Sequence, residues 1–415
     1  VYWYTEKRMR TLLHMLGADA IHEVYGWFFC PKIFVGKLGL LAFSMMMASM
    51  CTRRRAFIVT DQYVKHLADK VAQSLRTFGF QVQIWDRAVP EPPLETVQEC
   101  AEDMKKFEPD LIIAVGGGSV IDTAKAAWVL YERPGTNLKM LNPLFPVGLR
   151  VKARLVACPT TSGTGSETTY AAVLTDTSQT PPRKLEIASL ELVPDYAILL
   201  PEFAAGMPPK LTVGTGLDAL AHAVDAYFSS MATEFTDAIA LKAIELILKY
   251  LPRAYRNPKD MEARYKMHIA ATMGGIAFSN SGTALTHSLG HAVGKAFGIH
   301  HGISVGIFIP YVIPYYAKAT DRYIDLAKYL GIEAKTNEEY LKKLVDLFKD
   351  FLRSLDVSYV LKDHGISRED FEKNLDVLAK YAYEDAVTPA SPRPTSVEEL
   401  RKLLIYAYEG KDVDF

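Results

Sequence analysis

The sequence predicts two domains of different class. An α/β, Rossmann-like nucleotide-binding domain with a parallel sheet is expected over residues 1–208, and an all-α metal-binding domain over 209–415. Three observations predict this. Short apolar or β-branched runs alternate with helical periodicities as far as Pro159, which is the rhythm of an α/β layer. That rhythm stops near Met207-Pro208-Pro209-Lys210 and long helical patterns follow. Among those helices lie pairs of Asp and His at the spacing of one helical turn.

The elements follow in chain order. A charged, aromatic-rich leader (Val1–Tyr25) carries Trp3, Tyr4, Leu12, Leu13 and Leu16 and reads as an amphipathic helix. The run LGLLAFSMMMASM, Leu38 to Met50, is shorter than the ~20 residues a membrane span needs. It also starts too late for a signal peptide, so it is read as a buried helix, with an interfacial or partner-binding helix as the competing reading. Ala56–Thr60 is a short strand ending at Asp61, and Val64, Ala68, Val71 and Leu75 mark the helix after it. Phe80–Trp85 alternates like a strand, and Val97–Phe107 is helical. Asp110–Val115 is a continuous apolar run, as in a strand covered on both faces, and a helix follows over Val120–Leu130. Leu155–Pro159 is a second such run. Beyond Met207, helices are expected over Asp218–Phe228, Glu234–Tyr250, Met261–Ala277, Tyr323–Leu330, Glu338–Leu355 and Val397–Tyr408, with Pro-Tyr and Gly interruptions between some of them.

Composition narrows the function classes. The 415 residues are 49% hydrophobic, enough to bury a core, so a largely disordered chain is excluded. The 47 Lys and Arg balance 48 Asp and Glu, so no global field recruits nucleic acid or an anionic membrane. Cys30, Cys51, Cys100 and Cys158 form no C-x-x-C pair, which suits a reducing cytoplasm and gives no thiolate zinc site.

Two loops carry anion-binding chemistry. Gly116–Ser119 joins a buried strand to a helix, where small residues let the backbone and the first helical N–H groups approach a phosphate. It is not the G-x-G-x-x-G fingerprint, and a ligand-free tight turn is the competing reading. The segment PTTSGTGSE, 159–167, also leaves a strand end and is dense in hydroxyls, as a pyrophosphate or ribose site would be. Asp61 is placed either to accept from an adenosine ribose, favouring NAD over NADP, or to cap the next helix.

The metal chemistry rests on Asp218-x-x-x-His222 and His287-x-x-x-His291, each of which puts two donors on one helix face, and on His300-His301-Gly302. One carboxylate with several imidazoles and no thiolate suits Fe(II), Zn(II) or another first-row dication. Spacing alone leaves open which of His291, His300 and His301 bind. H-E-x-x-H is absent, which rules out that metalloprotease pattern.

In order along the chain, Val59–Asp61, GGGSVIDTAK at 116–125, PTTSGTGSE at 159–167, Met207-Pro208, GLDALAH at 216–222, Ala277–Asn280, HSLGH at 287–291, His301-Gly302 and Pro392–Pro394 resemble the iron-containing (group III, iron-activated) alcohol dehydrogenases. The resemblance covers about residues 30 to 410. It implies the fold shared by that family and dehydroquinate synthase, and metal-dependent, NAD(P)-linked interconversion of alcohol and aldehyde by hydride transfer. It implies Asp218, His222, His287 and His301 as metal ligands, Fe(II) foremost, and His291 as a catalytic histidine lining the site. It groups Asp61, Gly117, Gly118, Ser119, Asp122, Thr160, Thr161, Thr164 and Lys184 with the cofactor, NAD before NADP. A cytoplasmic homodimer or higher homo-oligomer is implied, with no nucleic-acid or membrane partner.

Three departures stand out. Pro90-Glu91-Pro92 replaces a frequent Pro-Asn-Pro, His300 replaces the Pro of Pro-His-Gly, and the helix after Gly36 is Met-rich rather than charged. Polyol dehydrogenase, maleylacetate reductase and hydroxyacid–oxoacid transhydrogenase are related alternatives. A dehydroquinate-synthase-like lyase would need a basic cluster for its charged substrate, and the segment 218–301 is poor in Lys and Arg.

Overall fold

The computed structural model describes residues 27–36, 38–143, 145–178 and 183–415. The leader helix expected over Val1–Tyr25 lies outside the described residues. The chain forms two compact units that meet in sequence at Gly206 and Met207.

The first unit holds β1 (Lys32–Val35), α1 (Gly39–Met50), β2 (Arg55–Val59), α2 (Lys65–Thr77), β3 (Gln81–Trp85), α3 (Leu94–Phe107), β4 (Leu111–Gly116), α4 (Gly118–Glu132), β5 (Arg154–Pro159), β6 (Ala171–Asp176), β7 (Arg183–Ala188), β8 (Tyr196–Leu199) and α5 (Pro201–Ala204). Six parallel strands run in the order β1-β8-β5-β4-β2-β3, and β6 and β7 form a separate antiparallel pair. Period-two alternation assigns the faces. Phe57, Val59, Ile112 and Ala114 meet Val97, Met104 and Ile121 of α3 and α4. Ala56, Ile58, Ile113 and Val115 face Phe43, Leu67, Val71 and Leu75 of α1 and α2. The helix after β2 therefore covers one face and the helix after β4 the other. The strand order reverses between these two neighbours, and such a reversal opens a crevice at the carboxyl ends of the strands.

The opposite rim is closed by carboxylates that cap loop amides. Asp110 accepts from the N–H groups of Arg53, Arg54 and Arg55 at 2.7–3.2 Å. Glu132 accepts from Val151, Lys152 and Ala153, and Asp195 from Leu155. Each carboxylate satisfies turn amides that lack a strand partner.

Two expectations are corrected here. The Met-rich helix is only half-buried: Phe43 and Met47 pack inward, whereas Leu38, Leu41, Met45 and Met50 are exposed. Strands β1, β6, β7 and β8 lie outside the elements the sequence predicts, because runs such as YAIL and KIFV are too short to show a period.

The second unit contains α6 (Pro209–Phe228), α7 (Glu234–Arg256), α8 (Met261–Ser281), α9 (Leu285–Phe297), α10 (His301–Tyr316), α11 (Arg322–Tyr329), α12 (Asn337–Ser354), α13 (Arg368–Glu384) and α14 (Val397–Glu409). Pro310 and Pro314 do not interrupt α10, which continues through both. Helix α6 is buried from Thr212 to Phe228 and packs on α7, α8 and α10. Missing side chains allow these approaches. A Cβ on Gly302 would lie 1.9 Å from the Gly214 carbonyl oxygen, and one on Gly290 would lie 2.6 Å from Val305. Among the described residues, no helix is long and apolar enough to cross a membrane.

Candidate metal centre and cofactor loops

Three donors converge within the helical unit. Asp218 and His222 face the same side of α6, and His287 enters from the first turn of α9. One ligand atom from each of the three lies within 4.8 Å of the others. The Asp218 Oδ1 atom is 3.9 Å from His222 Nε2, 3.9 Å from His287 Nε2 and 3.2 Å from His301 Nε2. His301, the first residue of α10, is brought to Asp218 by the glycine that follows it: a Cβ on Gly302 would fall 2.9 Å from the Asp218 Cβ. The rings of His222 and His287 stack at 4.6 Å, and Phe278 closes the far side of His222 at 4.1 Å.

The electrostatics suit a cation. Burial alone would raise the Asp218 carboxyl, but His222, His301 and His287 facing it outweigh burial and hold it well below the usual carboxylate range. Burial pushes the His222 imidazole down to about 3, so its ring is neutral near pH 7 and keeps a lone pair. His287 Nε2 is buried with no hydrogen-bond partner, and Asp218 Oδ1 has none beyond its 3.2 Å approach to His301 Nε2. Buried polar atoms ordinarily find partners, so two donor atoms aimed at one point with no partner outside the cluster fit a dication.

Two carboxylates that sequence reading did not single out orient the histidines. Asp225, fully buried on α6, accepts from His287 Nδ1 at 2.9 Å, Thr286 Oγ1 at 2.6 Å and the Ala284 amide at 2.8 Å. This bond fixes the His287 tautomer and turns Nε2 toward Asp218. The signal was present, since Asp218, His222 and Asp225 share one helix face at i, i+4 and i+7. Asp385, at the end of α13, lies 2.8 Å from His291 Nδ1, and no sequence spacing links the two. The His291 ring stacks on His301 at 5.2 Å, beside the donor cluster. His300 packs its ring on the α6 backbone, where a Cβ on Gly214 would meet it at 2.5 Å.

In the first unit, the two anion-binding loops lie against each other. Gly117 caps α4 without a side-chain bond, and the first turn of α4 carries no acidic group, so its amides and dipole remain open to an anion. A Cβ on Gly117 would come 3.3 Å from Thr161, and one on Gly118 would come 3.0 Å from Thr164. Thr160 N–H donates to the Gly116 carbonyl at 3.0 Å, keeping the loops in register. Ser119 is half-buried on the first turn of α4. Asp122 is engaged elsewhere, with Oδ1 accepting from Ser166 Oγ at 2.6 Å and Oδ2 from the Val173 amide at 3.0 Å.

Asp61 follows β2 and accepts from the amides of Tyr63 and Val64 at 2.7 and 3.0 Å, so one carboxylate oxygen caps the turn into α2. Lys184 is exposed on β7, opposite Thr175 in the β6–β7 hairpin. Glu91, in the Pro90–Pro92 departure, has a left-handed φ of 48°, a conformation Asn adopts with less strain.

The family described as "Iron-containing alcohol dehydrogenase" matches residues 30–201, and "Fe-containing alcohol dehydrogenase family, C-terminal" matches 212–408. The NADPH-dependent butanol dehydrogenase of Clostridium saccharobutylicum is 40% identical over 84% of this chain and 89% of its own length. The bifunctional aldehyde-alcohol dehydrogenase of Escherichia coli K12 is 34% identical over 93% of the chain, which spans only 46% of that relative's length. The solved iron-containing alcohol dehydrogenase of Thermococcus thioreducens superposes with a TM-score of 0.82 at 30% identity, covering 93% of this chain and all of that one.

Proposed function

This chain belongs to the iron-containing alcohol dehydrogenase family, and we propose on that premise that it interconverts a small alcohol and its aldehyde with a nicotinamide cofactor and Fe(II) held by Asp218, His222, His287 and His301. The observation that carries the reading is the convergence of Asp218 with buried histidine nitrogens, two of the donor atoms having no other partner. A dication bound there supplies Lewis acidity toward an alcohol or carbonyl oxygen.

The chain's own residues do the rest. Asp225 holds His287 by Nδ1, leaving Nε2 for the cation. A bound nicotinamide would supply the hydride acceptor for the carbinol carbon, which leaves the hydroxyl proton for the protein to take. His291 is the residue for that proton: Asp385 holds its Nδ1 and orients the ring, so Nε2 accepts in oxidation and donates in reduction. Gly117, Gly118 and Ser119, with Thr160, Thr161 and Thr164 opposite, hold the pyrophosphate at the open end of α4.

The reading extends to NAD as the preferred cofactor, since the Asp61 carboxylate disfavours a 2′-phosphate. Asp61→Gly is expected to raise kcat/KM for NADP(H) relative to NAD(H), and to lower the melting temperature slightly because the turn loses its cap. Wild-type protein with a strong NADP(H) preference would remove Asp61 from this role. The unpaired thiols of the four cysteines suit the cytoplasm. The exposed apolar face of α1 suits a homo-oligomer, which sedimentation would test. A panel of alcohols and aldehydes assayed with both cofactors and Fe(II) or Zn(II) tests the reaction itself. No nicotinamide turnover with any member would contradict it.

A further inference from the structure

Asp122 and Lys125 lie three residues apart on α4, one turn inside its open N-terminus, and both side chains reach the second loop. Asp122 accepts from Ser166 Oγ at 2.6 Å and from the Val173 amide at 3.0 Å. Lys125 is fully buried, and its Nζ donates to the Thr169 carbonyl at 2.8 Å, Thr169 Oγ1 at 2.8 Å and the Ala171 carbonyl at 2.9 Å. Ser166 Oγ is a fourth, longer acceptor at 3.4 Å, and a site built only of oxygen acceptors is the complement of an ammonium rather than an amine. Burial pulls this lysine down to about 8, which still leaves it charged at neutral pH.

The bonded segment, Ser166 to Val173, is continuous with the Thr161–Thr164 stretch that lines the glycine loop. Ser166 N–H lies 3.3 Å from Thr164 Oγ1, so the anchored residue is tied directly to the wall. The wall has little latitude, because Thr164 already sits 3.0 Å from where a Cβ on Gly118 would be. A shift of that size would either close the groove or pull the hydroxyls away from an anion at the α4 N-terminus.

Building on the assignment of this groove to the dinucleotide, we propose that Asp122 and Lys125 are positioning residues for its pyrophosphate. They act through Ser166 and Thr169 and clamp the Thr161–Ser166 wall against Gly117 and Gly118. On this view Asp122 serves the cofactor without touching it, and Lys125 supplies a buried strut rather than a phosphate contact. Placement of hydroxyl donors within a fraction of an ångström is what such a supporting layer contributes.

The test uses the full, metal-loaded chain and ADP-ribose, which carries the pyrophosphate and both riboses but no nicotinamide. Titration calorimetry gives Kd for wild type, Asp122→Ala, Ser166→Ala, the double variant and Lys125→Met. Each single variant is expected to weaken ADP-ribose about tenfold or more. The double Asp122→Ala/Ser166→Ala variant should lose clearly less than the product of the two single losses, because both break the shared Asp122–Ser166 bond, although Asp122 also holds the Val173 amide and Ser166 also accepts from Lys125. Asp122→Asn, which keeps an acceptor for Ser166, should recover part of the loss. In steady state, KM for the cofactor should rise while metal per subunit and KM for the alcohol stay near wild type.

Fully multiplying losses in the double variant would mean that Asp122 and Ser166 do not act through their shared bond and would overturn the proposal. So would wild-type Kd values in the single variants. If Lys125→Met does not fold, the Asp122 and Ser166 cycle decides alone. Wild-type protein that binds no ADP-ribose would defeat the assignment of the groove itself, whereas wild-type binding with unchanged variants defeats only the clamp.

Discussion

His301→Ala is expected to purify with little metal and little activity, while His291→Ala keeps most of its metal at saturating supply and turns over slowly. The two residues look interchangeable by type, and their rings stack at 5.2 Å. Their partners differ. His301 presents Nε2 to Asp218 at 3.2 Å, whereas His291 gives Nδ1 to Asp385 at 2.8 Å. Removing a donor from the cluster leaves the Asp218 carboxylate with one fewer group to share a cation. Removing a neighbour that only lines the site costs about 10–100-fold in affinity or activity. Metal per subunit, measured by elemental analysis in both variants, separates the roles. Metal lost from His291→Ala and retained in His301→Ala would make the His287–His291 helical pair the chelate instead.

The second large effect comes from a residue with no side chain. Gly302→Ala puts a methyl group 1.9 Å from the Gly214 carbonyl oxygen and 2.9 Å from the Asp218 Cβ. Neither neighbour is the free end of a flexible chain, so α10 must move off α6. Overpacking a tight contact typically costs about 1–3 kcal/mol. Here the displacement also separates His301 from Asp218, since each rides on one of the two helices. The expected result is a lower melting temperature together with metal loss. Gly206→Ala is the control, because nothing lies within 4 Å of its added Cβ and its φ is not left-handed. Equal stability and metal content in Gly302→Ala and Gly206→Ala would mean that the close helix approach does not build the site.

These contrasts show what the chain reveals before it folds. Asp218 and His222 were legible because helical periodicity converts a spacing of four into a shared face. The glycine loop was legible because a buried strand running into Gly116–Ser119 leaves few other geometries. His301 was not assignable from spacing. It belongs to a different helix from His287, and only the packing of α10 on α6 through Gly302 carries it to Asp218. The resemblance to known dehydrogenases named it where residue patterns left three histidines open.

Asp385 was invisible for the same reason. It reaches His291 across 94 residues of chain, from the end of α13, and no sequence pattern links the two. Asp122 is the converse case. Its motif marked it as important, and its hydrogen bonds show where the carboxylate points: to Ser166 and the Val173 amide. The apolar composition of the Met-rich helix predicts burial. Composition does not report the face, and Leu41 and Met45 lie on the side away from Phe43 and Met47.

The central claim is that a dication seated among Asp218, His222, His287 and His301 is required for nicotinamide-linked alcohol oxidation. The most direct measurement strips the protein with a chelator, confirms metal removal by elemental analysis, and follows alcohol-dependent NADH and NADPH formation before and after Fe(II) or Zn(II) is returned. The expected result is loss of turnover in the stripped protein and at least partial recovery with metal. Full turnover in protein shown to be metal-free would contradict it.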